Sequence, residues 1–442
     1  MTDLTHIGAT GRQGALAPLL LFADFVRQSL LVVLRGGTAY YAWVLLLLAI
    51  FANGVAAYSQ QLTHGLIVTG MRDQLSWGFY IGNFAYLVGV AAAAVVLVIP
   101  AYIYHWKPIK EVVLFGELMA IAAIVMCMMF VNVDIGRPER FWHLMPLVGQ
   151  PNFPYSMLTW DILVLSSYFV VNLFVAIYLV YKSYIGRPYS LGFVLPIIFL
   201  SIPLAIGIHT VTAFLFVGLK SRAFWHTAIL APRFIASAFC SGPALMVLVF
   251  QVLRRSYRLP ITDAALQKIG ELLAYAMAIN LFFIGTEVFT DFYATTAHSV
   301  HAELQWFGGH GLNHLPFYTW LALACDVTAF VIFLVPALRR RLPVLSLGCV
   351  LAAGGAYVEK GMGLLIPGMA PDMLGEFYAY RPTLIEFFVG AGIWAFGALL
   401  FTWMSKVAAA VDLGTMRRPD AATAGADDAS TTSSASTHGG WR

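Results

Sequence analysis

The sequence predicts an all-α, polytopic membrane protein of about ten transmembrane helices. Three observations carry that prediction. Of the 442 residues, 60% are hydrophobic and 11% charged, less than half the roughly 25% charged residues of an ordinary soluble domain. The apolar residues gather in runs of about 20, the length that crosses a bilayer as a helix. The basic residues are dense in every second connection and sparse in the others, the signature of alternating membrane sides. The net charge of +4 is small and gives no sign of a nucleic-acid surface.

Taken in order, the chain opens on a polar stretch, MTDLTHIGATGRQG, with no short apolar core of the kind that ends in a signal-peptide cleavage site. Residues 15–35 are apolar but interrupted by Asp24, Arg27, Gln28 and Ser29, and only Gly36, Gly37 and Thr38 separate them from the next run. Two full spans do not fit so short a turn. Residues 1–38 therefore read as a cytoplasmic segment ending in an amphipathic helix on the membrane surface. The ten spans follow at 39–58, 77–104, 111–132, 157–181, 191–218, 234–253, 266–289, 316–338, 344–366 and 383–406. Two four-helix bundles with flanking helices are the expected arrangement of this domain, 39–406. The remainder, 407–442, is rich in Ala, Ser and Thr without apolar periodicity and reads as a disordered cytoplasmic tail.

Eighteen of the 26 Lys and Arg residues fall in the N-terminal segment and the alternate connections that share its side. Positive-inside therefore puts both termini in the cytoplasm, and in a bacterium the membrane is the inner one. Residues 132–161, 291–315 and 359–381 then face the outside. Trp77, Trp142, Trp160, Trp225, Trp306 and Trp320 cluster near the outer span ends, as an aromatic belt does.

Chemistry concentrates in residues 132–161. Asp134, Arg137, Glu139, Arg140, His143 and Asp161 stand there among Trp142, Tyr155 and Trp160, with four prolines forbidding a continuous helix. Ionisable groups at a hydrocarbon boundary are costly. A His143–Asp161 pair beside a lipid-accessible cleft suits quinol oxidation, since a carboxylate-oriented imidazole accepts one of the protons released. Arg137 or Arg140 would balance the acids or hold a quinone carbonyl. An interfacial histidine and a helix-capping aspartate account for the same spacing. Deeper in the spans lie Glu117, His209, Glu287, Asp326 and Glu386. Each costs about 2.5–3.5 kcal/mol to insert at a helix centre. They read either as a proton path or as hydrogen bonds pinning helices together.

Other functions find less support. Cys127, Cys240, Cys325 and Cys349 form no CxxC or CxxCH, so this chain is expected to hold no iron–sulfur cluster and no covalent haem. No second histidine shares the depth of His209, which argues against a bis-histidine haem b. His298, His301, His310 and His314 share one outer connection, and solvated loop residues explain them as well as a metal does; no metal site is expected. Pro196, Pro203, Gly207 and Pro243 interrupt spans as in carriers, yet no two matching broken segments appear.

GRPERFW at 136–142, followed by SMLTWD at 156–161, resembles the NrfD/polysulfide reductase membrane-subunit family. The similarity extends through 201–245, ELLAYAMAINLFFIGTEVFTDFY at 271–293 and YRPTLIEFFVGAGIWAFGALL at 380–400. The run HTVTAFLF followed by ILAPRFIASAFCSGPA is most similar to the DsrP branch of the DsrMKJOP sulfur-metabolism complex, with HmcC-like and alternative-complex-III subunits nearby. The resemblance implies a haem-free subunit that handles quinone, menaquinone or ubiquinone, and docks a periplasmic ferredoxin-like iron–sulfur subunit. The DsrP branch adds a multihaem cytochrome c, a haem b membrane subunit and a cytoplasmic iron–sulfur subunit. By motif, the quinone-lining His and Asp carry over to His143 and Asp161, with Arg137, Glu139 and Tyr155 as neighbours.

Overall fold

The computed structural model of the protein describes residues 6–145, 148–293 and 297–417. Regular structure among them is helical, with no β-strand. The reason is the solvent: hydrocarbon offers backbone N–H and C=O groups no partner outside the helix itself. Helix α1 is His6–Leu34. Ten helices are long and apolar enough to cross a membrane, which matches the expected number. They are α2 (Thr38–His64), α3 (Phe79–Ile103), α4 (Val113–Asp134), α5 (Met157–Tyr184), α6 (Leu191–Val217), α7 (Leu230–Tyr257) and α8 (Asp263–Tyr293), then α10 (Leu315–Leu334), α11 (Leu342–Met369) and α12 (Leu384–Asp412). A shorter helix, α9 (Ala297–Phe307), lies between α8 and α10.

Several boundaries differ from the sequence expectation. The connection 291–315 is not a bare loop, because α9 occupies its centre. Arg233 lies inside the first turn of α7 rather than ahead of it. Glu359 and Lys360 end the first half of α11 and are buried. The last helix continues to Asp412, so residues 407–412 are helical rather than disordered. The rest of the expected tail, 418–442, lies outside the described residues.

The spans form two four-helix groups. In the first, α3 and α5 each pack against both α4 and α6; in the second, α7 and α10 each pack against both α8 and α11. Contacts of α7 with α3 and α6 join the groups, while α2 pairs with α12, which lies against α4. Lipid chains are as apolar as leucine, so helix association depends on close packing rather than on burial from water. Small residues mark the closest crossings. A Cβ on Gly54 of α2 would stand 2.7 Å from the Cα of Gly392 on α12. Two spans are irregular. Pro100 sits in a π-helical turn, Ile99–Ile103, at the end of α3, and α11 breaks at Gly361. At the N-terminus, the buried ring of Phe25 meets Tyr181 and Tyr184 of α5, and Tyr184 donates to Asp24 at 2.7 Å. That bond is the main reason the Asp24 carboxyl titrates below its ordinary range.

A cap closes one end of both bundles, the end at which α3, α5 and α7 begin. Trp225, fully buried in the short turn between α6 and α7, donates to the Leu364 carbonyl at 3.0 Å and stacks on Trp77. Arg222 donates to the Met369 carbonyl at 2.8 Å. From α9, His301 Nδ1 faces the carbonyls of Pro367 and Ala370 at 2.6 and 2.9 Å. Both partners are acceptors, so Nδ1 carries the proton and donates.

Two outcomes follow from this packing. Gly54→Val should force α2 and α12 apart, cost about 1–3 kcal/mol and lower the melting temperature of the purified protein. Gly192→Ala, where a Cβ meets nothing within 4 Å, should leave it unchanged. Burial lowers the His301 pKa below its ordinary value, against the two carbonyl hydrogen bonds that raise it. The opened cap therefore binds a proton that the closed cap refuses, so cap stability falls as pH drops below about 6.5. Amides at 362–370, corrected for intrinsic exchange, should lose protection between pH 7 and pH 5. That loss should vanish in His301→Ala; a flat wild-type profile would contradict the assignment.

Candidate functional site

The mouth of the first bundle at the capped end holds Asp161. Helix α5 starts at Ser156, whose side chain accepts from the Thr159 amide at 3.4 Å, while the Trp160 indole donates to the Pro154 carbonyl at 2.9 Å. These bonds fix the entry of the chain and turn Asp161 inward. Asp161 is 2% exposed. Its Oδ1 accepts from Thr212 Oγ1 on α6 at 2.8 Å, and among the described residues no hydrogen bond reaches Oδ2. Cys127 of α4 is an electrostatic neighbour. A buried carboxyl with one hydroxyl partner and one open oxygen is costly as a bare anion and is ready to take a proton or a donor.

His143 is placed differently. It lies in the 3-10 turn Pro138–Leu144, exposed, with its ring stacked on Trp142 at 3.8 Å. No hydrogen bond or ion pair joins it to Asp161, so the structure does not bring the expected pair together. Arg137 and Glu139 form an exposed ion pair at 3.5 Å, of the kind that contributes about 0–1 kcal/mol. Tyr155 is 84% exposed. These residues share the loop above Asp161 without converging on it.

The deeper candidates separate into distinct roles. Glu117 is buried on α4 with Oε2 unpartnered, at a cavity of about 10 Å³ that Tyr168, Asn172 and Ser201 also line. That space is close to the size of one water. His209 is buried with Nε2 unpartnered. Glu386 belongs to the fold: it completes a capping box with Thr383 at the start of α12 and also accepts from the Gly70 amide at 2.7 Å and from Tyr380. Both of its oxygens thus hold structural hydrogen bonds.

Glu287 and Asp326 belong to a cluster in the second bundle that sequence reasoning finds only in part. Arg233 of α7 binds Glu287 of α8, and its guanidinium donates to Glu359 of α11 at 2.7 and 3.0 Å. Asp326 of α10 sits in the notch left by Gly355, where a Cβ would collide with its Oδ1. Lys360 donates to the Phe234 carbonyl at 2.7 Å and stands over the Phe234 ring. The charge pattern alone puts Arg233, Glu359 and Lys360 at the outer edge; the structure puts them inside. The signal for that is the apolar sequence on both sides of each, ILAPRFIASAF and AAGGAYVEKGMGLLI. His301, His310 and His314 do not converge on one site. His301 holds the cap, His310 stacks on Phe377 at 4.0 Å, and among the described residues no group of three or more His, Cys, Asp or Glu is arranged to hold a metal.

Comparison with known proteins agrees with this architecture. The family described as "Polysulphide reductase, NrfD" matches residues 67–370. A putative dimethyl sulfoxide reductase membrane subunit of Halobacterium salinarum is 27% identical over 82% of this chain and 90% of its own length. An Hdr-like menaquinol oxidoreductase integral membrane subunit of Archaeoglobus fulgidus is 23% identical over 82% of this chain and 91% of its own. The integral membrane subunit of a menaquinone reductase from Nitratidesulfovibrio vulgaris is also 23% identical, over 82% and 90%.

Proposed function

Because the chain belongs to the NrfD polysulphide reductase family, we propose that it is the quinone-handling integral membrane subunit of a multi-subunit oxidoreductase. Its quinone site is the outer mouth of the first bundle. The observation that carries this reading is Asp161, a buried carboxyl held by Thr212 with one oxygen open, beneath a loop of exposed aromatic side chains. The names of two relatives, a menaquinol oxidoreductase subunit and a menaquinone reductase subunit, favour menaquinone over ubiquinone.

A quinol supplies two electrons and two protons at such a site. Asp161 Oδ2 is the acceptor for a quinol hydroxyl, and Thr212 holds the carboxyl so that this oxygen stays turned to the mouth. A carboxylate fixed within hydrogen-bond reach of the proton it removes acts as a general base. His143, exposed on the loop above, is the group that passes the proton to outer water. Arg137, Glu139 and Tyr155 shape that loop. Glu117, with its small polar cavity, is the next proton-holding group inward in the same bundle, and His209, Glu287 and Asp326 are the others in reach of a transmembrane route.

The electrons need a partner. The four cysteines, one each on α4, α7, α10 and α11, form no CxxC motif of the kind that holds a cluster, and on this reading the electrons leave through another subunit. A periplasmic ferredoxin-like iron–sulfur subunit docked on the outer cap is the partner this chemistry calls for. A DsrP-type complex in sulfur metabolism, with its cytochrome c, haem b and cytoplasmic iron–sulfur subunits, is the assembly we favour. HmcC-like and alternative-complex-III-like assemblies are the other members of the same reading. The chain is then a multi-pass protein of the cytoplasmic membrane with both termini inside, its residues 1–38 lying at the inner surface.

Asp161→Asn in the intact complex should lower quinol-dependent reduction of the acceptor by about 100-fold or more while assembly stays normal. Thr212→Val should give a smaller loss and move the pH profile of turnover, because it changes only the partner of the carboxyl. Full turnover in Asp161→Asn would rule the site out.

A further inference from the structure

The second bundle contains a cavity that the quinone reading does not use. It has a volume of about 30 Å³ and reaches from Gln305 and Trp306 of the outer helix α9 to Thr319 and Asp326 of α10 and Glu359 of α11, with Arg233 on its wall. A single water needs about 10–15 Å³, so there is room for an ion and a water. Two residues of its wall carry an unpartnered carboxylate oxygen: Asp326 Oδ2, on a residue 1% exposed, and Glu359 Oε2, on a residue 9% exposed. Neutral oxygen donors complete the wall. The Gln305 amide nitrogen is turned to the Gly363 carbonyl at 3.5 Å, and the Thr319 hydroxyl hydrogen goes to the Leu315 carbonyl at 3.2 Å. The Gln305 carbonyl oxygen and the Thr319 lone pairs are thereby left for another partner.

Charge points the same way. Around the cavity stand Arg233 and Lys360, against Glu287, Glu359 and Asp326, with Asp291 one turn further out; His209 and Cys240 lie nearby. The ammonium of Lys360 is turned away to Phe234. With acids ionised and bases protonated, the five central groups leave one negative charge unbalanced, and Asp291 adds a second. Uncompensated charge at this depth is expensive. Oxygen donors of this hard type, two of them carboxylate, suit a small cation. The one negative charge left by the five central groups is balanced by a single monovalent cation, whereas a divalent ion would overcompensate them.

We propose that this cavity binds one alkali-metal cation between Asp326 and Glu359, with Gln305 and Thr319 as neutral ligands. Its occupancy sets the charge balance of the Arg233 cluster and locks α10 to α11. The proposal does not require the quinone site, and it makes the cation a competitor of protons for the same two carboxyls.

The test uses the purified complex in lipid nanodiscs, melted in sodium chloride, potassium chloride or choline chloride at constant ionic strength. Sodium or potassium, and not choline, should raise the melting temperature of this subunit saturably with single-site behaviour, and the comparison identifies the ion. Half-saturation should shift to lower concentration as pH rises from 6 to 8, because a protonated carboxyl is a poor ligand. Asp326→Asn and Glu359→Gln should abolish the shift. Thr319→Val, which leaves every charge in place, should fold normally and raise the half-saturating concentration about tenfold, the loss of one ligand worth about 1.4 kcal/mol. Equal melting in all three salts at every pH overturns the proposal. So does stability that follows pH alone, or a shift that survives in Asp326→Asn and Thr319→Val together.

Discussion

An ionisable group inside hydrocarbon must be neutral, paired or bound, and much of this structure is arranged to meet that condition. Arg233 meets it by taking one carboxylate from α8 and one from α11. Glu386 meets it with a capping box, a backbone amide and a tyrosine hydroxyl. Lys360 uses a carbonyl and the face of a phenyl ring. Each solution ties together segments distant in sequence. The polar residues, a small minority, thus set the register of helices whose apolar surfaces would pack in several ways. Where the condition is met only partly, as at Asp161, Glu117, Asp326 and Glu359, an oxygen is left open and chemistry is available.

The two bundles differ in what they leave open. In the first, the open oxygen near the mouth is that of Asp161, with a hydroxyl as its fixed partner, and Glu117 keeps another deeper in. That suits exchange of a proton with a small amphipathic molecule arriving from the lipid. In the second, two residues with an open carboxylate oxygen line one small cavity beside a guanidinium that is already committed. That suits a resident charge. The outer cap, tied by Trp225, Arg222 and His301, joins the ends of both. A partner that docks on the cap is therefore in mechanical contact with both sites.

The fold is readily legible in the sequence and the site unevenly so. Run length and charge alternation give the ten spans because hydrocarbon thickness and backbone hydrogen bonding leave no other solution. Asp161 is legible from its place just inside a span behind a proline-rich loop. Its partner Thr212 is not, since a hydroxyl fifty residues away carries no local mark. Sequence proximity and residue type put His143 beside Asp161, whereas the structure stacks it on Trp142 in solvent. Glu386 resembles a proton carrier by depth alone; the Thr383 to Glu386 spacing is the sign of a capping box. Arg233, Glu359 and Lys360 fall at the outer edge only if charge marks span ends, a rule that fails where charges neutralise one another inside.

Photolabelling tests the central claim, that quinone is handled at the outer mouth of the first bundle, most directly. The intact complex in lipid would be illuminated with a photoreactive menaquinone analogue and this subunit digested and mapped. Label should concentrate in 153–165 and 208–216, the segments that carry Asp161 and Thr212, and excess menaquinone should compete it away. Label confined to α7, α8, α10 and α11, or to another subunit, would contradict the account.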